Sequence, residues 1–144
     1  MHPSEAIKES ISKKLSGKKI ILALTGGIAC VECVKLARQL IRHGADVYAV
    51  MSKEACRILS TIAMEFATGK EVITELSGKV EHVSYNADLL LITPCTANTL
   101  SKISLGIADN AITTFAVAFR NKIVIVPSMH ISMYENPFVQ QNIK

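Results

Sequence analysis

Residues 19–27, KIILALTGG, join an almost uninterrupted apolar run to a threonine and two glycines. Such a run is typical of a β-strand that is buried on both faces, as in parallel sheets. The glycines allow a tight turn into the helix predicted for residues 28–43, which Gly44 ends. A buried strand that leads directly into a helix is the first half of a βαβ unit, so this stretch predicts an α/β fold.

The same alternation continues along the chain. Further strands are predicted for residues 46–51, 88–93 and 123–126, with at most a short one at 72–74. Further helices are predicted for residues 4–15, 53–68, 100–105, 108–119 and 137–143. The fold class that follows is α/β: a three-layer, doubly wound parallel sheet of the Rossmann-like or flavodoxin-like type, in one domain over residues 1–144.

The composition excludes several classes of protein. Of the 144 residues, 49% are hydrophobic and only 19% are charged, which is the reverse of a disordered chain. No apolar run reaches the roughly 18 residues of a membrane span, and the N-terminal segment lacks the apolar block of a signal peptide. Aromatic residues make up 5% and the net charge is +4, so platforms for stacking bases are scarce. We therefore expect a cytoplasmic protein that binds neither membranes nor nucleic acid.

Two of the four cysteines, Cys30 and Cys33, form a CxxC pair. A zinc site would need a second pair, and the sequence has none. A thioredoxin-like pair would also follow a strand, but with other residues between the cysteines. The favoured interpretation is packing of small residues on one helix, without a metal, and the roles of Cys30, Cys33 and Cys95 stay open.

All four main strands end in small or polar residues, at 25–29, 51–53, 93–99 and 127–130. Ligands of doubly wound sheets bind beyond these carboxyl ends, so the sequence predicts a site there. The glycine loop at residues 25–29 matches neither the GxGxxG motif of dinucleotide-binding proteins nor the P-loop of nucleotide-binding proteins. The second strand ends in Ser52 and Lys53, where a dinucleotide site usually has an acid, and Glu54 already starts the next helix. NAD is disfavoured and a ligand with one phosphate is favoured, although helix capping would also explain Ser52 and residues 96–99.

Two histidines are candidates for chemistry. His82 precedes the third strand and His130 follows the fourth, at the predicted ligand edge. Isolated histidines are more often surface or core residues, and that interpretation stays open for both. His2 and His43 are interpreted as solvated or structural, since His43 falls in the last turn of a helix.

Longer motifs identify a family. They are TGGIA (25–29), RHGADVYAVM (42–51), TANT (96–99), GIADN (106–110) and PSMHISMY (127–134). Over nearly its whole length the chain resembles the homo-oligomeric flavin-containing cysteine decarboxylases. Within that family it is most similar to the phosphopantothenoylcysteine decarboxylase domains that archaea join to a ligase domain in coenzyme A biosynthesis.

The resemblance implies FMN as the cofactor and a small phosphorylated thiol as the substrate. It also implies a homotrimer, or a dodecamer of trimers, with the site shared between subunits. The surroundings of the flavin ring would include Ser128 and Met129. The flavin phosphate and ribityl chain would be held by Gly26, Gly27, Ile28, Ser52, Thr96, Ala97, Asn98 and Thr99.

The implied reaction is decarboxylation of 4′-phosphopantothenoylcysteine to 4′-phosphopantetheine. Oxidation of the substrate thiol to a thioaldehyde would stabilise the carbanion that loss of CO2 leaves, with His82 as the base of the oxidation. His130 takes the Asn place of the family's Pro-x-Met-Asn-x-x-Met motif and would contact the carboxylate or relay a proton. A substrate clamp and the ligase domain are expected to be absent from residues 1–144, so whether this chain turns over stays open.

Three alternatives share the fold. An FMN-binding electron carrier would hold flavin without decarboxylation. A non-catalytic oligomeric subunit would make His82 dispensable. A flavin prenyltransferase is disfavoured by the Pro-x-Met-x-x-x-Met motif at residues 127–133.

Overall fold

The predicted strands make one parallel sheet in the computed structural model, which describes residues 1–77 and 86–144. The strands are β1 (Lys19–Leu24), β2 (Asp46–Met51), β3 (Leu89–Cys95) and β4 (Lys122–Pro127). The helices are α1 (Pro3–Ala6), a 3-10 helix (Ile28–Glu32), α2 (Cys33–Arg42), α3 (Lys53–Cys56), α4 (Thr61–Thr68), α5 (Ala97–Ser104), α6 (Ala111–Ala118), α7 (Ile131–Tyr134) and α8 (Pro137–Ile143). No helix in these two segments is long and apolar enough to cross a membrane.

The sheet has the strand order β2-β1-β3-β4, with every pair parallel. Helix α2 connects β1 to β2, and the chain then returns across β1 to place β3 on its other side. The strand order therefore reverses between the carboxyl ends of β1 and β3, which is where doubly wound sheets bind their ligands. The predicted α/β fold class is confirmed.

Strand β1 carries the core of both faces of the sheet. Ile20, Leu22 and Leu24 pack in one cluster with β2, α2 and α4. Ile21 and Ala23 pack in the other with β3 and α6. Because alternate residues of a strand point to opposite faces, an uninterrupted apolar run is what this central position requires.

The first predicted helix is wrong beyond its first turn, since α1 ends at Ala6. The following segment turns back onto the C-terminal end of α2. The backbone N–H of Glu9 donates to the carbonyl of Ile41 at 3.1 Å, and that of Leu15 donates to the carbonyl of His43 at 2.8 Å. The last carbonyls of a helix have no partner within it, so these tertiary bonds satisfy them and override the local helical period.

Four other helices differ from their predicted bounds. The helices predicted for residues 100–105 and 108–119 are α5 (Ala97–Ser104) and α6 (Ala111–Ala118), and α7 has no predicted counterpart. The helix predicted for residues 28–43 begins as the 3-10 helix before α2. The helix predicted for residues 53–68 is split into α3 and α4, because Ser60 caps a new helix and its Oγ accepts from the N–H of Ile62 at 3.2 Å. Serine competes with the helix backbone for hydrogen bonds, which explains the break.

The loop predicted from Pro94 onward begins later in the structure. Strand β3 runs through Pro94 to Cys95, where an irregularity in its pairing with β4 follows Ile92. The short strand predicted near Ile73 is reduced to a single parallel bridge with Val50.

Candidate functional site

A cleft opens at the carboxyl ends of β1, β2 and β3, beside the reversal of strand order. It consists of two adjoining cavities, a small one of about 220 Å³ and a large one of about 530 Å³. Predicted ligand residues from all three strand ends line the small cavity: Gly26, Ser52, Thr96, Asn98 and Thr99. The structure therefore brings together residues that are up to 73 positions apart in the chain.

A buried threonine joins the first and third strand ends. Thr25 is 2% exposed, and its Oγ1 donates to the carbonyl of Pro94 at 2.5 Å. The same oxygen accepts a hydrogen bond from the backbone N–H of Thr96 at 3.0 Å. One hydroxyl thus fixes the start of the TANT motif against the glycine loop.

The TANT motif forms the N-terminal cap of α5. Thr96 Oγ1 accepts from the N–H of Thr99 at 3.2 Å and donates to Thr99 Oγ1 at 3.1 Å. This cap satisfies one of the N–H groups that a helix start leaves without an intrahelical acceptor, and the N–H groups of Ala97 and Asn98 also belong to that first turn. The predicted capping and ligand-binding interpretations are therefore compatible.

Strand β2 delivers Ser52 and Glu54 to the same cavity. Ser52 Oγ caps α3 by accepting from the N–H of Ala55 at 3.1 Å, which leaves its own O–H to donate to a ligand. Gly26 lies so close to this helix that a Cβ there would collide with Cβ of Glu54. Only a glycine permits this approach, which narrows the cleft at the first strand end.

Lys102 and Asn110 also line the small cavity. Lys102 lies four residues after Asn98 on α5, so the two share a helix face. Its Nζ is 2.9 Å from Oδ2 and 3.1 Å from Oδ1 of Asp109, and this hydrogen bond holds the pKa of the Asp109 carboxyl below its usual range. Asn110 caps α6 by accepting from the N–H of Thr113 at 2.9 Å.

These residues fit a phosphate and a polyol chain. The small cavity is lined by hydroxyl and amide groups from three strand ends and by Lys102 of α5, together with helix N–H groups, and such sets bind phosphate. The chemistry of the donor set thus agrees with the single-phosphate ligand that the strand ends predict.

Other predicted residues lie beside this cavity. Gly27 begins the 3-10 helix, and a Cβ there would press on Pro94 at 3.3 Å. Ile28 is 76% exposed, whereas Ala97 is buried. Their assignment to the phosphate and ribityl chain remains a prediction.

The fourth strand end carries the ring candidates and one histidine. The backbone N–H of Ser128 donates to the carbonyl of Cys95 at 3.0 Å, and Met129 packs against the core on the α6 face. His130 is exposed, and its Nδ1 caps α7 by accepting from the N–H of Ser132 at 3.2 Å. His82 lies outside the described residues. The catalytic roles of both histidines therefore remain predictions.

Sequence reasoning does not identify five residues that line the small cavity: Thr25, Glu54, Lys102, Asn110 and Ile112. The bridging hydroxyl of Thr25 has no local signal. Glu54 lies in the helix after the second strand, as predicted, but from the second position of α3 it still lines both cavities. Lys102 could have been found from its spacing of four residues after Asn98.

The CxxC pair is packed in the core. Cys30 is fully buried, and Cys33 Sγ donates to the carbonyl of Thr93 at 3.2 Å. Desolvation by burial raises the pKa of the Cys33 and Cys95 thiols to about 12. The described residues contain no group of three metal-binding side chains, and the cysteines in them are free thiols. The packing interpretation is thus favoured over redox chemistry.

Thiol labelling should follow this burial. At about pH 8 we expect iodoacetamide to modify half-buried Cys56 and to spare Cys30, Cys33 and Cys95, because the thiolate is the reactive form. Mass spectrometry of the native and urea-unfolded chain measures this labelling, and rapid native labelling of Cys33 or Cys95 would contradict it.

The buried thiols also predict how stability depends on pH. Thiols of the unfolded chain ionise at a lower pH than the buried thiols of the folded chain, so the free energy of unfolding should fall as the pH rises from about 9 to about 12.

Known proteins resemble this chain in sequence and fold. The coenzyme A biosynthesis bifunctional protein CoaBC of Thermococcus kodakarensis is 52% identical over 100% of this chain and 38% of its own length. The CoaBC protein of Methanocaldococcus jannaschii is 48% identical over 93% of this chain and 34% of its own length. The chain therefore spans less than two fifths of the length of these relatives.

Solved structures of known proteins also resemble this chain in fold. The FMN-dependent cysteine decarboxylase SpaF superposes with a TM-score of 0.83 at 27% identity, over 90% of this chain and 78% of its own. A PPC decarboxylase variant complexed with pantothenoylaminoethenethiol superposes with a TM-score of 0.73 at 25% identity. The match covers 88% of this chain and 74% of that structure's chain. The family model described as Flavoprotein matches residues 8–144. Together with the cleft at the reversal of strand order, this match means that the chain belongs to the flavoprotein family.

Proposed function

We propose that this chain binds FMN and decarboxylates 4′-phosphopantothenoylcysteine to 4′-phosphopantetheine in coenzyme A biosynthesis. The observation that carries the proposal is the small cavity, in which Ser52, Thr96, Asn98 and Thr99 converge at the reversal of strand order. The high identity to CoaBC proteins and the likeness to PPC decarboxylase support the substrate and reaction.

Within this proposal the protein's own groups bind and orient the ligands. The donors of the small cavity hold the phosphate of FMN, and the ring extends into the large cavity. The resemblance assigns Ser128 and Met129 to the ring, but neither residue lines that cavity. Bound FMN supplies a reversible acceptor for the electron pair of the substrate thiol. His82 removes the proton that accompanies the oxidation, and His130 contacts the carboxylate through Nε2, since Nδ1 accepts from Ser132. The net reaction releases CO2 and places a proton on the carbon that carried it.

Assembly and location belong to the same proposal. Ile28 and Phe138 are 76% and 75% exposed, and such apolar side chains support association into the homotrimer or dodecamer of trimers that the family resemblance implies. A small-molecule thiol of intermediary metabolism is consistent with a cytoplasmic protein.

The test is a spectrum of the purified chain loaded with FMN, followed by anaerobic addition of 4′-phosphopantothenoylcysteine. We expect the flavin band to bleach and CO2 to be released, and light scattering of the same sample gives the mass of the assembly. A flavin band whose absorbance does not change when the substrate is added would favour the electron-carrier alternative. A chain that binds no flavin would overturn the proposal. Substrate lacking the carboxylate is the matched control for CO2 release.

A further inference from the structure

Glu54 occupies an unusual place in the cleft. It is the second residue of α3, and its Cβ lies directly against Gly26 of the first strand end. It lines the small cavity and the large cavity alike, as do Ser52, Lys102, Asn110 and Ile112. A ligand with one end in each cavity must therefore pass Glu54.

The charge of Glu54 is not neutralised within the described segments. Ion pairs there join Lys8 to Asp46 and Lys102 to Asp109, and no described cation or hydrogen-bond donor engages the Glu54 carboxylate. The nearby ammonium of Lys102 is held by Asp109 at 2.9 Å. Glu54 is thus an exposed carboxylate that lies beside the hydroxyl of Ser52 and the amide of Asn98 in the small cavity.

A carboxylate can do two opposite things to a phosphorylated ligand. Placed next to the phosphate it repels the ligand, because two anions then share a cavity. Placed next to hydroxyl groups it binds the ligand, because an ionised carboxylate only accepts hydrogen bonds and hydroxyls donate them. The cavity linings favour the second effect: Thr96, Asn98 and Thr99 line only the small cavity, whereas Glu54 lines both cavities.

We propose that Glu54 is a specificity residue that accepts hydrogen bonds from the hydroxyls of the ribityl chain of FMN. This inference rests on the proposed function, since it takes FMN as the ligand. The phosphate lies among the donors of the small cavity, the ring lies in the large cavity, and the ribityl chain crosses the boundary beside Glu54. The glycine at position 26 is required because any side chain there would displace Glu54 from this boundary.

The experiment measures FMN dissociation constants by flavin fluorescence for the unmodified chain and for Glu54→Gln. Glutamine keeps the length of the side chain and an acceptor oxygen but lacks the charge, so we expect FMN binding to weaken about three- to tenfold, as when a charge-assisted hydrogen bond becomes a neutral one. Glu5→Gln is the matched control, because it makes the same charge change on exposed α1, away from the cleft. Its affinity for FMN should equal that of the unmodified chain.

An FMN analogue separates the two effects of the carboxylate. In N10-(5-phosphopentyl)flavin, hydrogens replace the ribityl hydroxyls while the phosphate and ring remain. The unmodified chain should bind this analogue about tenfold or more weakly than FMN, and Glu54→Gln should cause no further loss for the analogue.

Two results would overturn the inference while leaving the proposed function intact. Tighter or unchanged FMN binding by Glu54→Gln would mean that the carboxylate repels the phosphate or does not contact the ligand. Equal affinity of the unmodified chain for FMN and the analogue would mean that the hydroxyls make no such bond. Failure of the unmodified chain to bind FMN at all would overturn both the proposed function and the inference.

Discussion

Replacing Thr25 with valine is expected to lower the free energy of unfolding by about 1 to 3 kcal/mol and to weaken FMN binding. Valine has nearly the same shape as threonine but no hydroxyl. The N–H of Thr96 would lose the partner that Thr25 Oγ1 supplies at 3.0 Å, whereas the carbonyl of Pro94 would lose the hydroxyl but keep the backbone N–H of Thr25 at 3.3 Å. Each buried polar group left without a partner costs about 1 to 3 kcal/mol.

The weaker FMN binding has a separate physical reason. Thr96 starts α5, and its capping hydroxyl sets the position of Thr99. Without the hydroxyl of Thr25, the N–H of Thr96 is no longer held against the glycine loop and only the backbone bond from Thr25 to Pro94 remains, so the first turn of α5 is held less firmly in the small cavity.

Urea unfolding and flavin fluorescence measure the two effects on Thr25→Val. Thr25→Ser is the matched control, because it keeps the hydroxyl and removes only a methyl group, and it should retain most of the FMN affinity. Equal stability of Thr25→Val and the unmodified chain would contradict the bridging role. A valine variant that folds poorly but binds FMN normally at low temperature would contradict the link to the cavity.

The fold was predictable because its central strand carries an unambiguous pattern. An uninterrupted apolar run such as Ile20–Leu24 satisfies two packed faces only inside a parallel sheet. The glycines that follow then mark the carboxyl end of that strand. The strand ends could be assembled into one site without coordinates, because parallel strands place all their carboxyl ends at one edge.

The N-terminal segment could not be predicted because its decisive bonds are not local. The spacing of Ile7, Ile11 and Leu15 is helical, but the N–H groups of this segment bond to the end of α2, more than twenty residues away. Helical periodicity reports which residues are apolar and carries no information on distant carbonyl acceptors. Tertiary hydrogen bonds therefore decided the structure here.

Some residues of the candidate site were predictable from the sequence and others were not. Ser52, Thr96, Asn98 and Thr99 were predictable because strand ends and helix caps follow local rules. The role of Glu54 was not, because the sequence places it in a helix and only the close approach of Gly26 shows that it also faces the cleft. A glycine next to a strand end indicates that something comes close, but it does not identify the neighbour.

His82→Asn is expected to lower the rate of CO2 release about 10²- to 10⁴-fold while FMN binding persists, if His82 is the base that the family resemblance implies. Loss of a general base affects the proton transfer and leaves the phosphate donors of the small cavity in place. Single-turnover bleaching of the flavin band by 4′-phosphopantothenoylcysteine measures the oxidation directly, so slow bleaching would assign the defect to that step.

The control for His82→Asn is His43→Asn, because His43 caps α2 and bonds to Ser12 at 2.7 Å, away from the cleft. It should release CO2 at a rate close to that of the unmodified chain. Undiminished turnover by His82→Asn would remove His82 from the mechanism and leave exposed His130 as the candidate base. Loss of FMN together with turnover would instead make His82 part of the cofactor site, and FMN titration of the variant distinguishes these results before any kinetics are measured.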